Sequence, residues 1–370
     1  VIKGDFRVTA IRIDNLYHAY KDKKKSITAI DHINLDIQES EFYTLLGPSG
    51  CGKTTTLRCI AGLEQPTAGT IELGGIAVVS DRAWVPTHRR DIGMVFQDYA
   101  IWPHMSVFDN VAFPLKIAKQ LGRTEIRDRV AEALALMSME EYADRRATQL
   151  SGGQQQRISL ARALVRQPKV LLLDEPLSNL DAKLREQMRT ELRLLQQRIN
   201  ITTIFVTHDQ VEALSLSTRI AVMNKGKVVQ EGAPRDIYLA PNGEFVADFV
   251  GATSFVSGLV EQAGGPQHET VVATSMGTVR CRTGAEVRYG DEVTVAIRPE
   301  SIKVTAGPLA SDNCFRGEVK LGLFLGDAVD YQVRVGDETL RAKGDARTQF
   351  GTGERVHVSV SADECVLLDR

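Results

Sequence analysis

Residues 47–54 read Gly47-Pro48-Ser49-Gly50-Cys51-Gly52-Lys53-Thr54, a complete G-x-x-x-x-G-K-[ST] pattern. Ahead of it, Phe42-Tyr43-Thr44-Leu45-Leu46 reads as a buried strand. Behind it, Thr55 to Leu63 reads as a helix, with Leu57, Ile60 and Ala61 on one face. Strand, glycine loop and helix follow in the order that a phosphate cradle requires. The glycines let backbone N–H groups curl around phosphate oxygens, and the helix N-terminus adds its dipole. Lys53 is placed to reach β- and γ-phosphates, and the Thr54 hydroxyl to hold Mg²⁺. With Thr55, these residues form the candidate nucleotide-binding loop.

A chain of 370 residues can hold two or three domains and a sizeable core. The net charge of −2 does not favour nucleic acid as a partner, because a surface that tracks phosphates usually needs a basic excess. The one basic run, Lys21-Asp22-Lys23-Lys24-Lys25, reads as a solvated loop. No apolar run approaches the roughly 18–20 residues of a membrane-spanning helix. The N-terminus is polar and lacks an apolar signal core. The expectation is a soluble chain, held at a membrane, if it works there, by another protein. The five cysteines are widely spaced and match no metal-ligand pattern, which fits reduced thiols in a cytosolic protein. Cys51 reads equally as a reactive thiol or as a small side chain that fits the loop.

Texture divides the chain near Ala240-Pro241-Asn242-Gly243. Up to residue 240, apolar strands alternate with helical patterns. Thr124 is placed to cap a helix carrying Ile126, Val130, Leu134 and Met137. Asp181 is placed to cap another with Leu184, Met188, Leu195 and Ile199. Val170–Leu173 and Thr203–Val206 are buried-strand candidates between them. The fold class implied for residues 1–240 is α/β, a parallel sheet with helices on both faces. Residues 241–370 carry short Val-rich segments separated by Gly, Asp and Asn: 292–297, 318–321, 328–335 and 355–360. They read as a small all-β barrel or sandwich.

A phosphate loop needs a carboxylate for its metal. Val170-Leu171-Leu172-Leu173-Asp174-Glu175 puts Asp174 at the carboxyl end of a buried strand, where open α/β sheets bind ligands. Asp174 is the candidate metal carboxylate. Glu175 is the candidate for orienting or deprotonating water. A second glycine-rich helix start follows the first: Leu150-Ser151-Gly152-Gly153-Gln154-Gln155-Gln156-Arg157 precedes a face of Ile158, Ala161, Leu164 and Val165. It is a second candidate anion site.

The order of Gly47–Thr54, Gln97, Leu150–Gln154, Asp174-Glu175, Ser178-Asn179-Leu180-Asp181 and His208 resembles that of ATP-binding-cassette ATPases. The stretch 150–157 is the most specific part of the likeness, and the motifs cover residues 20 to 208. The resemblance implies a P-loop cassette with a helical subdomain at about 98–165 that binds ATP and Mg²⁺. Two copies would pair head to tail, with ATP between the phosphate loop of one and Ser151, Gly152, Gly153 and Gln154 of the other. It also implies that Gln97 contacts Mg²⁺ or the attacking water, and that His208 holds the γ-phosphate and supports Glu175. Asp181 would then lie at the dimer seam, and Tyr20 would stack on adenine, with Tyr17 as a rival.

Residues 98–115 resemble importer ATPases of the maltose, polyamine and ferric-iron type. In these, the segment receives a coupling helix from the permease; Trp102, Met105 and Phe108 read either as part of that surface or as subdomain core. Thr294–Glu300 resembles a motif of the transport-associated OB-like domain, with Arg298 and Glu300 read as a structural ion pair. The implied partners are a second copy, two transmembrane permease subunits and, indirectly, a periplasmic or extracellular solute-binding protein. The implied location is the cytoplasmic face of the membrane. The segment 249–255 looks more like polyamine, ferric-iron and phosphonate importers than sugar ones, although Asp98–Met105 also resembles sugar importers. The competing class, a soluble cassette in translation or repair, typically carries two cassettes or a long coiled-coil insertion, and this chain has neither.

Overall fold

A computed structural model of the chain describes residues 8–22, 25–264, 269–281 and 287–368. The chain divides into two compact units, with the boundary between Pro234 and Arg235.

The first unit is built on a six-stranded sheet. Its order is Lys227–Gly232, Arg219–Asn224, Phe42–Leu46, Thr202–Thr207, Val170–Asp174 and Ile92–Val95. The last five run parallel, and Lys227–Gly232 adds an antiparallel edge. Phe42–Leu46, Val170–Asp174 and Thr202–Thr207 are buried at every residue, as expected for strands covered on both faces. The helices are α1 (Lys53–Ala61), α2 (Val107–Ala118), α3 (Arg123–Leu136), α4 (Gly152–Leu164), α5 (Ala182–Ile199) and α6 (Gln210–Leu216).

On one face of this sheet, Phe42, Leu173 and Phe205 pack with Val111, Ile158 and Met188 from three helices. On the other, Tyr43, Leu45 and Ile204 pack with Leu57 and Ile60 of α1 and with Ile11, Ile13 and Ile37. Those isoleucines belong to a second, antiparallel sheet containing Thr9–Asp22, Lys25–Gln38, Ala68–Leu73, Ile76–Ser80 and Ala83–Trp84. Helices on both faces were the expectation. Instead, one face is covered by α1 and a sheet, whose strands bury alternate residues such as Ile33, Leu35 and Ile37.

Three local expectations are also corrected. The hairpin strands run through Lys21 and Asp22 and resume at Lys25, so these three residues of the basic run belong to a paired ribbon and not to a loop; Lys23 and Lys24 lie outside the described residues. Helix α3 starts at Arg123 behind Gly122, which places Thr124 in the first turn, not at the cap. Helix α1 starts at Lys53 and stops at Ala61, because Gly62 takes a left-handed conformation (φ 75°) that ends it, leaving Leu63 outside and exposed. Asp181 does cap α5, accepting from the Leu184 N–H at 3.0 Å.

The second unit opens within α7 (Pro234–Leu239), continues through α8 (Glu244–Val250) and is otherwise β. Two five-stranded antiparallel sheets share one core that includes Val256, Val272, Val295, Val333, Leu340 and Val358. The strands Glu292–Ile297, Ala328–Val335 and Arg355–Val360 coincide with the sequence reading residue for residue. Arg298 and Glu300 do not form the expected ion pair among the described residues. The Arg298 guanidinium donates to the carbonyls of Ala247, Gly251 and Tyr238 and lies over the Tyr238 ring, while the Tyr238 hydroxyl donates to Glu300. Both residues are structural, joined through a tyrosine. No helix among the described residues is long and apolar enough to cross a membrane.

Candidate active site

The site forms at the carboxyl ends of the parallel strands. Leaving Phe42–Leu46, the chain turns through Gly47–Gly52 into α1. Gly52 has φ 106°, and a Cβ there would sit 2.2 Å from the Ala29 carbonyl oxygen, so glycine is required on both counts. Helix α1 has neither a side-chain cap nor an acidic residue in its first turn. Its first N–H groups are therefore left for an anion. Lys53 is 4% exposed, and its ammonium donates to the carbonyls of Gly47 (2.7 Å) and Pro48 (2.9 Å). Ser49 and Gly50 form the exposed tip of the loop. Cys51 is buried, and burial pushes its thiol up despite nearby Lys53, which favours the packing reading over a reactive thiol.

Thr54 and Thr55 point to different partners. The Thr54 hydroxyl donates to Asp174 Oδ1 at 3.0 Å. Asp174 is 5% exposed, and burial raises its carboxyl above the usual range, offset in part by that hydrogen bond. A buried carboxylate beside a hydroxyl supplies hard oxygen donors that suit Mg²⁺. The Thr55 hydroxyl lies 3.4 Å from the Tyr20 hydroxyl, which brings Tyr20 to the start of α1. Tyr17 instead stacks on His32, with ring centroids 5.0 Å apart.

Glu175 follows Asp174 with φ 43°, a left-handed conformation unusual for a side-chain-bearing residue. Its N–H donates to the Val206 carbonyl at 3.1 Å. Its Oε2 is shared by His208 Nδ1 at 3.1 Å and Gln97 Nε2 at 3.4 Å. Residues 97, 175 and 208 thus converge on one carboxylate oxygen. Gln97 is also held by Asn179, whose amide donates to the Gln97 carbonyl at 3.0 Å. Among the described hydrogen bonds, none joins Gln97 to Thr54 or Asp174. Just beyond Gln97, Arg162 of α4 donates to the carbonyls of Tyr99 and Ala100 and lies over Trp102, which packs on Phe113. Trp102 is accordingly part of the helical subdomain's packing.

The second glycine-rich turn caps itself. Ser151 Oγ accepts from the Gln154 N–H (3.4 Å), and Gln154 Oε1 accepts from the Ser151 N–H (3.0 Å). Ser151 and Gly152 are exposed, whereas Gly153 is buried where a Cβ would come within 3.0 Å of Leu184. The turn therefore rests on the start of α5, next to exposed Asp181. The sequence reading missed Arg185, which binds the carbonyls on either side of Asn179. In sequence it is an ordinary helix-surface cation.

The strands, glycine loop, Asp174-Glu175 pair and self-capped glycine turn define a P-loop ATPase cassette. The sequence matches the ABC transporter family over residues 30–178 and the TOBE domain over residues 295–368. The chain is 44% identical to the spermidine/putrescine import ATP-binding protein PotA 1 of Pseudomonas aeruginosa, covering 98% of each chain. It is also 44% identical to the PotA protein of Rubrobacter xylanophilus, over 98% of this chain and 94% of that one. Among solved structures, the dimeric ABC transporter cassette MJ0796 is similar at 35% identity and TM-score 0.54, covering 61% of this chain and 99% of that one. A post-hydrolysis dimer of that cassette with ADP and phosphate is similar at 34% identity, TM-score 0.54 and the same coverage. The chain belongs to the ABC transporter ATP-binding family: it is a transport ATPase cassette followed by an all-β, OB-like TOBE domain.

Proposed function

We propose that two copies of this chain pair head to tail and hydrolyse ATP to drive import through two permease subunits, with a polyamine as the solute. The convergence of Gln97, Glu175 and His208 beside the phosphate loop carries this reading. The relatives named for spermidine and putrescine import support the polyamine assignment over iron, phosphonate or sugar.

In this reading, the N–H groups at the start of α1 and the Lys53 ammonium bind the β- and γ-phosphates, and Tyr20 stacks on adenine. Thr54 and Asp174 would hold Mg²⁺, with Gln97 reaching it or the attacking water. When bound, the metal neutralises phosphate charge. Glu175 Oε2 accepts a proton from the attacking water, and His208 fixes that carboxylate from Nδ1. The Ser151–Gly153 turn of one copy presents a second helix N-terminus to the triphosphate bound by the other, with Asp181 at the seam. Hydrolysis then needs the pair, which links chemistry to permease movement. The chain works at the cytoplasmic membrane face and is served indirectly by an extracellular or periplasmic binding protein. The second unit contributes to pairing. Its exposed Leu323, Phe324 and Leu325 give it apolar surface for a second copy.

Hydrolysis should require Mg²⁺ and show a Hill coefficient above one in ATP. A coefficient of one at dilutions where dimers dissociate would count against shared sites. In membranes carrying the permease, spermidine- or putrescine-loaded binding protein should stimulate hydrolysis. Stimulation by a sugar-loaded binding protein alone would move the solute to that class.

A further inference from the structure

We infer that Arg185 is a positioning residue that couples the partner-facing loop Ser178–Asp181 to the turn carrying His208. The inference rests on the proposed pairing, which puts Ser178–Asp181 at the seam, and on the proposed roles of Glu175 and His208. Arg185 lies in the first turn of α5, and its N–H donates to the Asp181 carbonyl at 2.8 Å. From there its guanidinium reaches both sides of the site. On one side, Nη2 donates to the carbonyls of Leu180 (3.0 Å) and Ser178 (3.5 Å). On the other, Nη1 is 3.7 Å from Asp209 Oδ2 and Nε is 3.9 Å from Glu212 Oε1.

Each side is tied to the reacting carboxylate. The Ser178 hydroxyl donates to the Glu175 carbonyl at 2.9 Å. His208 stands between Thr207 and Asp209, and both neighbours are fixed in the same cluster. The Thr207 hydroxyl donates to buried Glu212 at 2.6 Å and accepts from the Asp209 N–H at 3.0 Å. Asp209 in turn caps α6 through the N–H groups of Val211 and Glu212. One rigid fork therefore spans the loop that follows Glu175 and the turn that presents His208 to Glu175. A planar guanidinium with donors on two edges carries displacement from one edge to the other, which a point charge on a flexible stem cannot do. The carboxylate side is loosely made: both separations exceed hydrogen-bonding distance, and the Nε donor is buried without an acceptor. Approach of a partner at Asp181 would move the Leu180 and Ser178 carbonyls, tighten this side and hold His208 in the contact it already makes with Glu175.

The test uses the full-length protein. Arg185→Met should lower kcat by about 10- to 100-fold, the scale of a small misplacement at a reacting centre. The Kd for a fluorescent ATP analogue should stay within about 3-fold, because the phosphate loop is untouched. Arg185→Lys should stay well below wild type, since a lysine cannot span both sides. The double variant Arg185→Met, Glu212→Gln removes the stranded buried charge. It should recover thermal stability but not kcat. Recovery of kcat with stability in the double variant would make Arg185 merely structural. Wild-type kcat in folded Arg185→Met would overturn the inference directly. His208→Ala separates the two failures: if it loses turnover while Arg185→Met keeps it, only the coupling is wrong; if it also turns over normally, the reading of the site is wrong.

Discussion

This chain contains two glycine-rich helix starts, and they are built in opposite ways. The phosphate loop is completed by its own chain: Gly52 is pressed against Ala29, Lys53 is buried, and Thr54 reaches Asp174 on another strand. The turn at Ser151 is exposed and satisfied by its own Gln154. A loop braced from several sides is ready to bind a ligand alone. A self-capped, exposed turn on a firm support is ready to meet something brought to it. The difference fits a site assembled from two copies, with binding on one side and closure on the other.

The largest effect expected falls on chemistry alone. Glu175→Gln should lose about 10²- to 10⁴-fold in turnover, the usual cost of removing a general base. Nucleotide affinity should survive, because it rests on Lys53 and backbone N–H groups. Size-exclusion chromatography with ATP should show a trapped dimer, and a variant with wild-type turnover would end the role of Glu175. Next in size, Ser151→Arg should lower hydrolysis by about 10²-fold or more, the scale of losing transition-state donors. Binding to the mutant's own phosphate loop should stay within about 3-fold by equilibrium titration, since the turn's hydrogen bonds lie within itself. Lost binding would mean that both helix starts serve one chain's nucleotide, and the contrast above would collapse.

The self-completed loop was legible in sequence because its geometry is local. Glycines, lysine and threonine at fixed spacing, after five buried residues, leave little else for the chain to do. The antiparallel sheet over α1 was not legible. Its first strand buries Ile11 and Ile13, then Leu16 and His18, and the alternation breaks where Asn15 takes φ 50° and the register shifts. A period-two pattern interrupted in this way reads as irregular. Arg298 and Glu300, in the motif at Thr294–Glu300, read as an ion pair, but Arg298 instead donates to the carbonyls of Tyr238, Ala247 and Gly251, far earlier in the chain. Among the site residues, the motif positions stand out by their spacing and Arg185 does not, because its contacts join the loop just before its own helix to Asp209 and Glu212, more than twenty positions later.

A third effect separates the two units. A fragment ending at Pro234 retains all the motifs and both sheets of the first unit, so it should fold and bind ATP. If the β-rich unit strengthens pairing, the fragment's specific activity should fall several-fold at low protein concentration and approach that of the full chain at high concentration, by mass action. Activity lost at every concentration, with native circular dichroism, would place part of the catalytic site in the second unit. Activity above the full-length level would make that unit an inhibitor.

The smallest effect concerns the cost of having Asp174 ready for a metal. Burial raises the carboxyl of Asp174 in the folded protein, so the folded state holds this proton more tightly than the unfolded chain. Stability contributed at this position is therefore present at low pH. It is lost as pH rises from about 4 through the raised folded value, and the penalty is constant above it. In metal-free buffer at neutral pH, Asp174→Asn should unfold at a higher temperature than wild type, because the amide keeps an acceptor for Thr54 without a buried charge. The gap should close as pH falls towards 4, where the wild-type carboxyl becomes neutral. Adding Mg²⁺ and ATP should reverse the order, since the wild type gains binding energy that the variant lacks. A variant less stable than wild type in metal-free buffer at neutral pH would show that the Thr54 hydrogen bond outweighs burial. The carboxylate would then be stable at the strand end without its cation, and the self-completed site would need no metal to hold its form.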